Sequence, residues 1–251
     1  LPTSLASTPL SSVLPALPTG NVSESPYKPR VTKDGERHPV TRNLGGNQNN
    51  PAWGQWLSVV NVKAPEGDIV MQGSNNKPLL VLNREEDGRV AMMLSGDAWL
   101  WARGYQGGGP HADLLQRVSH WLLKNPELEE EALRLVKDGN NLIIEQQTMS
   151  DVSTPVTVTT PSGKTITVTP EEASPGLWRV SVPAAEYGLY SAEQGGRNPQ
   201  KAFASIGLAN PQEFSNTLST TALLRSVTKE TGGTIARMLD GTGKISVPDI
   251  I

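Results

Sequence analysis

Residues 88–124 read GRVAMMLSGDAWLWARGYQGGGPHADLLQRVSHWLLK. Asp87-Gly88 closes a turn, and 90–94 (VAMML) is an unbroken apolar run. Such a run suits a strand covered on both faces, as in a parallel sheet between helices. Ser95-Gly96-Asp97 ends it, and Trp99, Trp101, Arg103 and Tyr105 then recur at alternate positions. Gly107-Gly108-Gly109-Pro110 is a flexible break. His111-Ala112-Asp113 opens a helix in which Leu114, Leu115, Val118, Trp121 and Leu122 keep helical spacing. Strand, loop, helix in that order predicts an α/β layer structure.

The flanking chain adds short strands at 57–64, 68–72 and 78–83, with Glu86-Asp87-Gly88 as a hairpin signal. Trp53 and Trp56, three apart, could pack on one side of a helical turn. Residues 1–30 are Pro- and Ser-rich and predict extended chain, with one helical turn at Thr8-Pro9-Leu10. Asn125-Pro126 stops the central helix. Residues 127–149 fit either a further helix or a hairpin; the turn signal Lys137-Asp138-Gly139-Asn140 favours the hairpin. From Val152 onward, strands separated by tight turns at roughly ten-residue spacing predict an antiparallel β-sandwich. The segment 220–231 predicts a final helix ended by Gly232-Gly233, with a short strand at 234–239. The expected division is therefore an α/β domain over 1–126 and a β-sandwich with a C-terminal helix over 127–251.

Composition narrows the function classes. The 251 residues carry a net charge of −3, with a pI near 5.7. That leaves no basic field for nucleic acid or anionic lipid. The absence of cysteine removes disulfides, thiolate metal sites and any cysteine nucleophile. No apolar run approaches the ~20 residues a membrane span needs. The chain starts at Leu1 without a signal-peptide pattern, which suggests a piece of a longer protein.

Several segments together resemble a known family: HPVTRNL at 38–44, PLLVLNR at 78–84, the 46 residues from 88 to 133, PSG at 161–163, SPGLW at 174–178, YGLY at 187–190 and TGG at 231–233. They are similar to bacterial membrane-anchored proteins that join a class I glutamine-amidotransferase-like domain to an Ig-like β-sandwich. The resemblance implies that 1–126 is the later portion of a flavodoxin-like three-layer domain lacking its first strands. It also implies a membrane anchor outside this chain and a soluble portion in the periplasm. True class I amidotransferases use a Cys-His-Glu triad. This chain has no Cys, and none of His38, His111 and His120 lies in a His-x-Glu motif. The expected role is thus a non-catalytic binding or scaffold region with a protein partner and no cofactor. The alternative is an amidotransferase or hydrolase whose nucleophile lies in a segment absent from this chain.

Candidate residues follow from position. Asp97 at the end of the 90–94 strand and His111 beside the glycine run could form an acid/base pair, since ligands of open α/β sheets gather at that edge. His111 and Asp113 could equally serve the helix start. Trp99, Trp101, Arg103 and Tyr105 could line a binding groove, or send half their number into the core. His38 and Arg42 could face the same crevice or belong to a structural loop. His120 reads as a surface residue. Glu127, Glu129, Glu130 and Glu131 read as a solvated charge run. No cluster shows metal-ligand spacing, and Gly107-Gly108-Gly109 lacks the GK[ST] of a phosphate loop.

Overall fold

Short turns and loops join many of the paired strands, and every strand pairing in the computed structural model is antiparallel among the described residues. Those residues are 5–44, 51–196, 199–207, 221, 224–233 and 235. The expected parallel, flavodoxin-like sheet is not what this chain forms: the described residues are β-rich, with four antiparallel sheets and few, short helices among them. Two compact units divide at Ile206/Gly207.

In the first unit, β1 (Leu17–Tyr27) pairs with β3 (Trp56–Lys63). A four-stranded sheet follows with β2 (Arg30–Val31), β4 (Asp68–Gln72), β5 (Pro78–Glu85) and β6 (Gly88–Met93) in that order. The strand covered on both faces is β5, where Leu79, Leu80, Val81 and Leu82 are all buried. The run 90–94 instead forms the edge strand β6, half-buried until Leu94. The tight turn at Glu86-Asp87 forces this outcome, because a two-residue link can only return the chain beside its predecessor. Helices α1 (Lys33–Arg37), α2 (Ala98–Ala102) and α3 (His111–Leu122) complete this part. Its core gathers Trp53, Trp56, Val59, Val70, Met71, Leu94, Trp101, Leu114 and Trp121 around β5. The helical turn expected at Thr8-Pro9 is a 3-10 turn, Pro9–Val13.

The hairpin favoured for 127–149 is β7 (Ala132–Asp138) and β8 (Asn141–Gln147). β9 (Val156–Thr159), β10 (Thr165–Val168), β11 (Glu171–Ser174), β12 (Leu177–Pro183), β13 (Gly188–Gln194) and β14 (Gln200–Ile206) follow. Two sheets result, ordered β11-β12-β8-β7 and β10-β9-β13-β14. Both feed one core of Leu133, Leu142, Ile144, Val156, Val158, Val182, Tyr190 and Ala192, which makes this region a β-sandwich. The two apolar cores separate between Leu128 and Leu133. Both nevertheless belong to the compact unit Leu1–Ile206.

In the second unit, α4 (Arg225–Thr231) ends at Gly232, whose φ of 70° is the left-handed conformation of a helix C-cap. The strand expected at 234–239 lies outside the described residues except for Ile235, which is in no strand. No helix among the described residues is long and apolar enough to cross a membrane.

Candidate functional site

The alternating pattern Trp99, Trp101, Arg103, Tyr105 is not a strand or a groove wall. Trp99 and Trp101 lie on α2, two positions apart and so on different sides of the helix, and the structure buries Trp101 while leaving Trp99 58 % exposed. Trp101 packs against Trp53 and Trp56 at ring-centroid distances of 5.2 and 4.7 Å, and its Nε1 donates to the Gly54 carbonyl at 2.8 Å. Trp53 and Trp56 therefore do share a side, supplied by Trp101 rather than by a helical turn of their own. Trp99, Arg103 and Tyr105 remain exposed, and the Arg103 amide donates to the Trp99 carbonyl, which sets them one turn apart.

The glycine run serves packing. A Cβ on Gly109 would lie 2.4 Å from the Trp101 ring, and the Gly54 amide donates to the Gly108 carbonyl at 2.6 Å. Glycine is required here because backbone presses directly on an indole, not because a phosphate must be cradled.

Asp97 does not meet His111. Its Oδ2 accepts from the Leu57 and Ser58 amides at 2.8 Å and from Ser58 Oγ at 3.0 Å, which ties the start of β3 to the start of α2. Beside it, Tyr27 donates to the Ser58 carbonyl, and burial, with the Asp97 charge adding, pushes its phenol up to about 12. His111 is half-buried at the start of α3. Among the described residues no hydrogen bond or ion pair joins the two, so the expected acid/base pair is not assembled.

His38 is the buried histidine. Its side chain is fully enclosed; Nδ1 accepts from the Val40 amide at 3.2 Å, and Nε2 lies 3.3 Å from Glu130 Oε1. An accepting Nδ1 leaves the proton on Nε2, which then donates to Glu130. The same carboxylate accepts from Trp121 Nε1 at 2.8 Å and from Arg84 Nη2, which also reaches Glu129 Oε2 at 2.7 Å. Arg89 closes the group by bonding Glu129 and the Trp121 carbonyl, with its guanidinium 5.2 Å from the Trp121 ring. Burial alone would raise the Glu130 carboxyl, but the bonds from His38, Arg84, its own backbone and Trp121 outweigh it and hold the group well below the usual carboxylate range. Glu129 is lowered in the same way by Arg84 and Arg89 against its own burial.

The acidic run is therefore not a solvated face. Glu130 is buried, Glu129 is paired, and Glu131 accepts from Thr148 Oγ1 and the Met149 amide; only Glu127 is exposed and unpaired with a cation. The fold also brings Asp68 to His38 and Glu130, so that a ligand atom of each lies within 4.8 Å of the others. No sequence spacing announced this. Burial raises the Asp68 carboxyl. A cation here would have to displace both the proton on His38 Nε2 and the Arg84 guanidinium, so the donor set suits a neutralised polar lock better than a metal centre.

Arg42 reaches the sandwich, not a crevice with Asp97. Its Nη1 donates to Gln147 Oε1, and Gln147 Nε2 donates to the Arg37 carbonyl at 3.0 Å. Arg37 pairs with Asp151. Gly176, in the β11–β12 turn at φ 73°, is pressed so close that a Cβ would lie 2.7 Å from the Arg37 carbonyl oxygen. These contacts fasten the α1 region to the sandwich.

A cavity of about 350 Å³ runs along one flank of α3, lined by Asp113, Gln116, Arg117, His120, Asn125 and Glu127. The spacing 113, 116, 117, 120 is itself helical, a polar stripe that the apolar periodicity of the same helix overshadowed. His120, read as a plain surface residue, faces this cavity. No protein-family profile and no curated protein matches the chain.

Proposed function

We propose that this chain is a non-catalytic binding and scaffold region of a bacterial membrane-associated protein, exposed to the periplasm and working through a protein partner. The observation that carries the reading is the use made of Asp97. A carboxylate whose Oδ2 already accepts from two amides and a hydroxyl is a structural brace, not a free base. Cysteine is absent from the sequence, so the acyl-enzyme chemistry of a class I amidotransferase has no nucleophile within these residues.

Two observations support an Ig-like identity for the sandwich. Lettered A to G in chain order, with β10 as C′, the sheets read D-E-B-A and C′-C-F-G, the Ig arrangement. Tyr190 near the start of β13 is buried and bonds the backbone of Glu186 through its hydroxyl, as a tyrosine corner does. For the partner, Trp99, Arg103 and Tyr105 offer an exposed patch of the residue types that dominate binding energies at interfaces.

The test is a glutamine-hydrolysis assay on the wild-type chain and His111→Ala. Both should stay at background. Turnover by wild type that disappears in a folded His111→Ala would establish the enzyme reading instead.

A further inference from the structure

Four arginines from four distant positions meet on the outer face of the β11-β12-β8-β7 sheet. Arg134 on β7, Glu145 on β8 and Arg179 on β12 are direct cross-strand partners, with Glu171 of β11 beyond Arg179. The row therefore alternates in sign from one edge of the sheet to the other. Gln147, two residues along β8 from Glu145 and on the same face, holds Arg42 above the row. Arg117 of α3 then donates through Nη1 to the Arg42 carbonyl at 2.5 Å.

Three of these four guanidiniums have no carboxylate within ion-pair distance among the described residues. Glu145 pairs with Arg179 at 2.7 Å, and Arg42, Arg117 and Arg134 form no ion pair with any carboxylate among the described residues. Arg134 donates to the Pro126 carbonyl at 2.7 Å, so these three guanidiniums are each anchored by a neutral oxygen. Burial and the charges of Arg134, Arg117 and Arg179 act together to lower Arg42, with only Glu145 opposing them. A guanidinium anchored through one N–H can turn its others to a tetrahedral oxyanion, which accepts two parallel bonds from one fork. The adjoining α3 cavity carries Asp113 and Glu127 beside Arg117.

We propose that this arginine face is a binding site for a single compact dianion of the phosphate or sulfate type, either free or as a monoester, with Arg42 at its centre. The site goes beyond the scaffold reading and stands whether or not a protein partner binds elsewhere.

The experiment titrates the full chain with inorganic phosphate, sulfate and phosphoethanolamine at constant ionic strength, following arginine side-chain NMR signals and heat, with acetate as the control. Saturable binding is expected up to about 10 mM phosphate, tenfold above a millimolar Kd. Arg117→Gln and Arg179→Gln should each weaken it by about tenfold, the size of one charge-assisted contact. Lys164→Gln, at an exposed lysine in the turn before β10, should change nothing. Arg179 is half exposed, so its variant keeps the fold and the comparison stays readable. Tighter binding of phosphoethanolamine than of phosphate identifies an ester ligand, and the reverse a free anion. Absence of saturable binding, an acetate response equal to the phosphate response, or unchanged affinity in both variants would overturn the proposal.

Discussion

Replacing Glu130 by Gln removes one charge from the lock at the junction of the two cores and leaves its shape in place. In wild type the carboxylate serves Trp121 Nε1 at 2.8 Å, His38 Nε2 at 3.3 Å and Arg84. A glutamine oxygen turned toward Trp121 and His38 still accepts from both and points its NH2 group at the guanidinium. The loss is then one charge-assisted hydrogen bond, about 2–3 kcal/mol, below the ~3–5 kcal/mol of a fully buried pair because Arg84 is half exposed. For a unit of this size that lowers the melting temperature by roughly 5–10 °C. A second signature lies in pH. The folded carboxyl is depressed, so its contribution is fully present above the ordinary value of 4.5 and is lost as pH falls below it. Urea unfolding of wild type and Glu130→Gln at several pH values should show a gap that is widest near neutrality and narrows in acid. A variant within about 0.5 kcal/mol of wild type at neutral pH, or a gap that does not change with pH, would refute the reasoning.

Other substitutions separate bracing from exposed roles. Asp97→Ala frees the Leu57 and Ser58 amides and should cost about 2–3 kcal/mol in urea unfolding. Gly109→Ala drives a methyl into the Trp101 ring and should cost about 2–3 kcal/mol, read in the same assay. Trp99→Ala, at a largely exposed position, should stay within about 0.5 kcal/mol while abolishing binding of any partner that uses this patch.

The sequence disclosed elements better than it disclosed their assembly. The hairpin at 132–147, the sandwich strands and α3 were legible because each rests on local turn chemistry or periodicity. The apolar run 90–94 misled because an edge strand under a helix and a central parallel strand share one composition; only the turn at Glu86-Asp87 distinguishes them. The indoles at 99 and 101 mimicked strand alternation because α2 spans only Ala98–Ala102, too short for a helical period to register. The locked glutamates were illegible for another reason. Arg84 lies 46 residues from Glu130 and His38 lies 92, and no local pattern records a pairing at that distance. The same holds for Arg42, Arg117, Arg134 and Arg179, each unremarkable in its own segment.

The arginine face exists only if the two cores are held as one body, since Arg42 and Arg117 belong to the first core's elements and Arg134 and Arg179 to the sandwich. The most direct test is denaturant unfolding followed by two probes at once. In a Trp178→Phe variant, which removes the one tryptophan on a sandwich strand, tryptophan fluorescence reports the first core, and amide hydrogen exchange in β8 and β13 reports the second. The account predicts one shared midpoint for both probes. Two separated midpoints, with the sandwich amides still protected after the indoles are exposed, would contradict it.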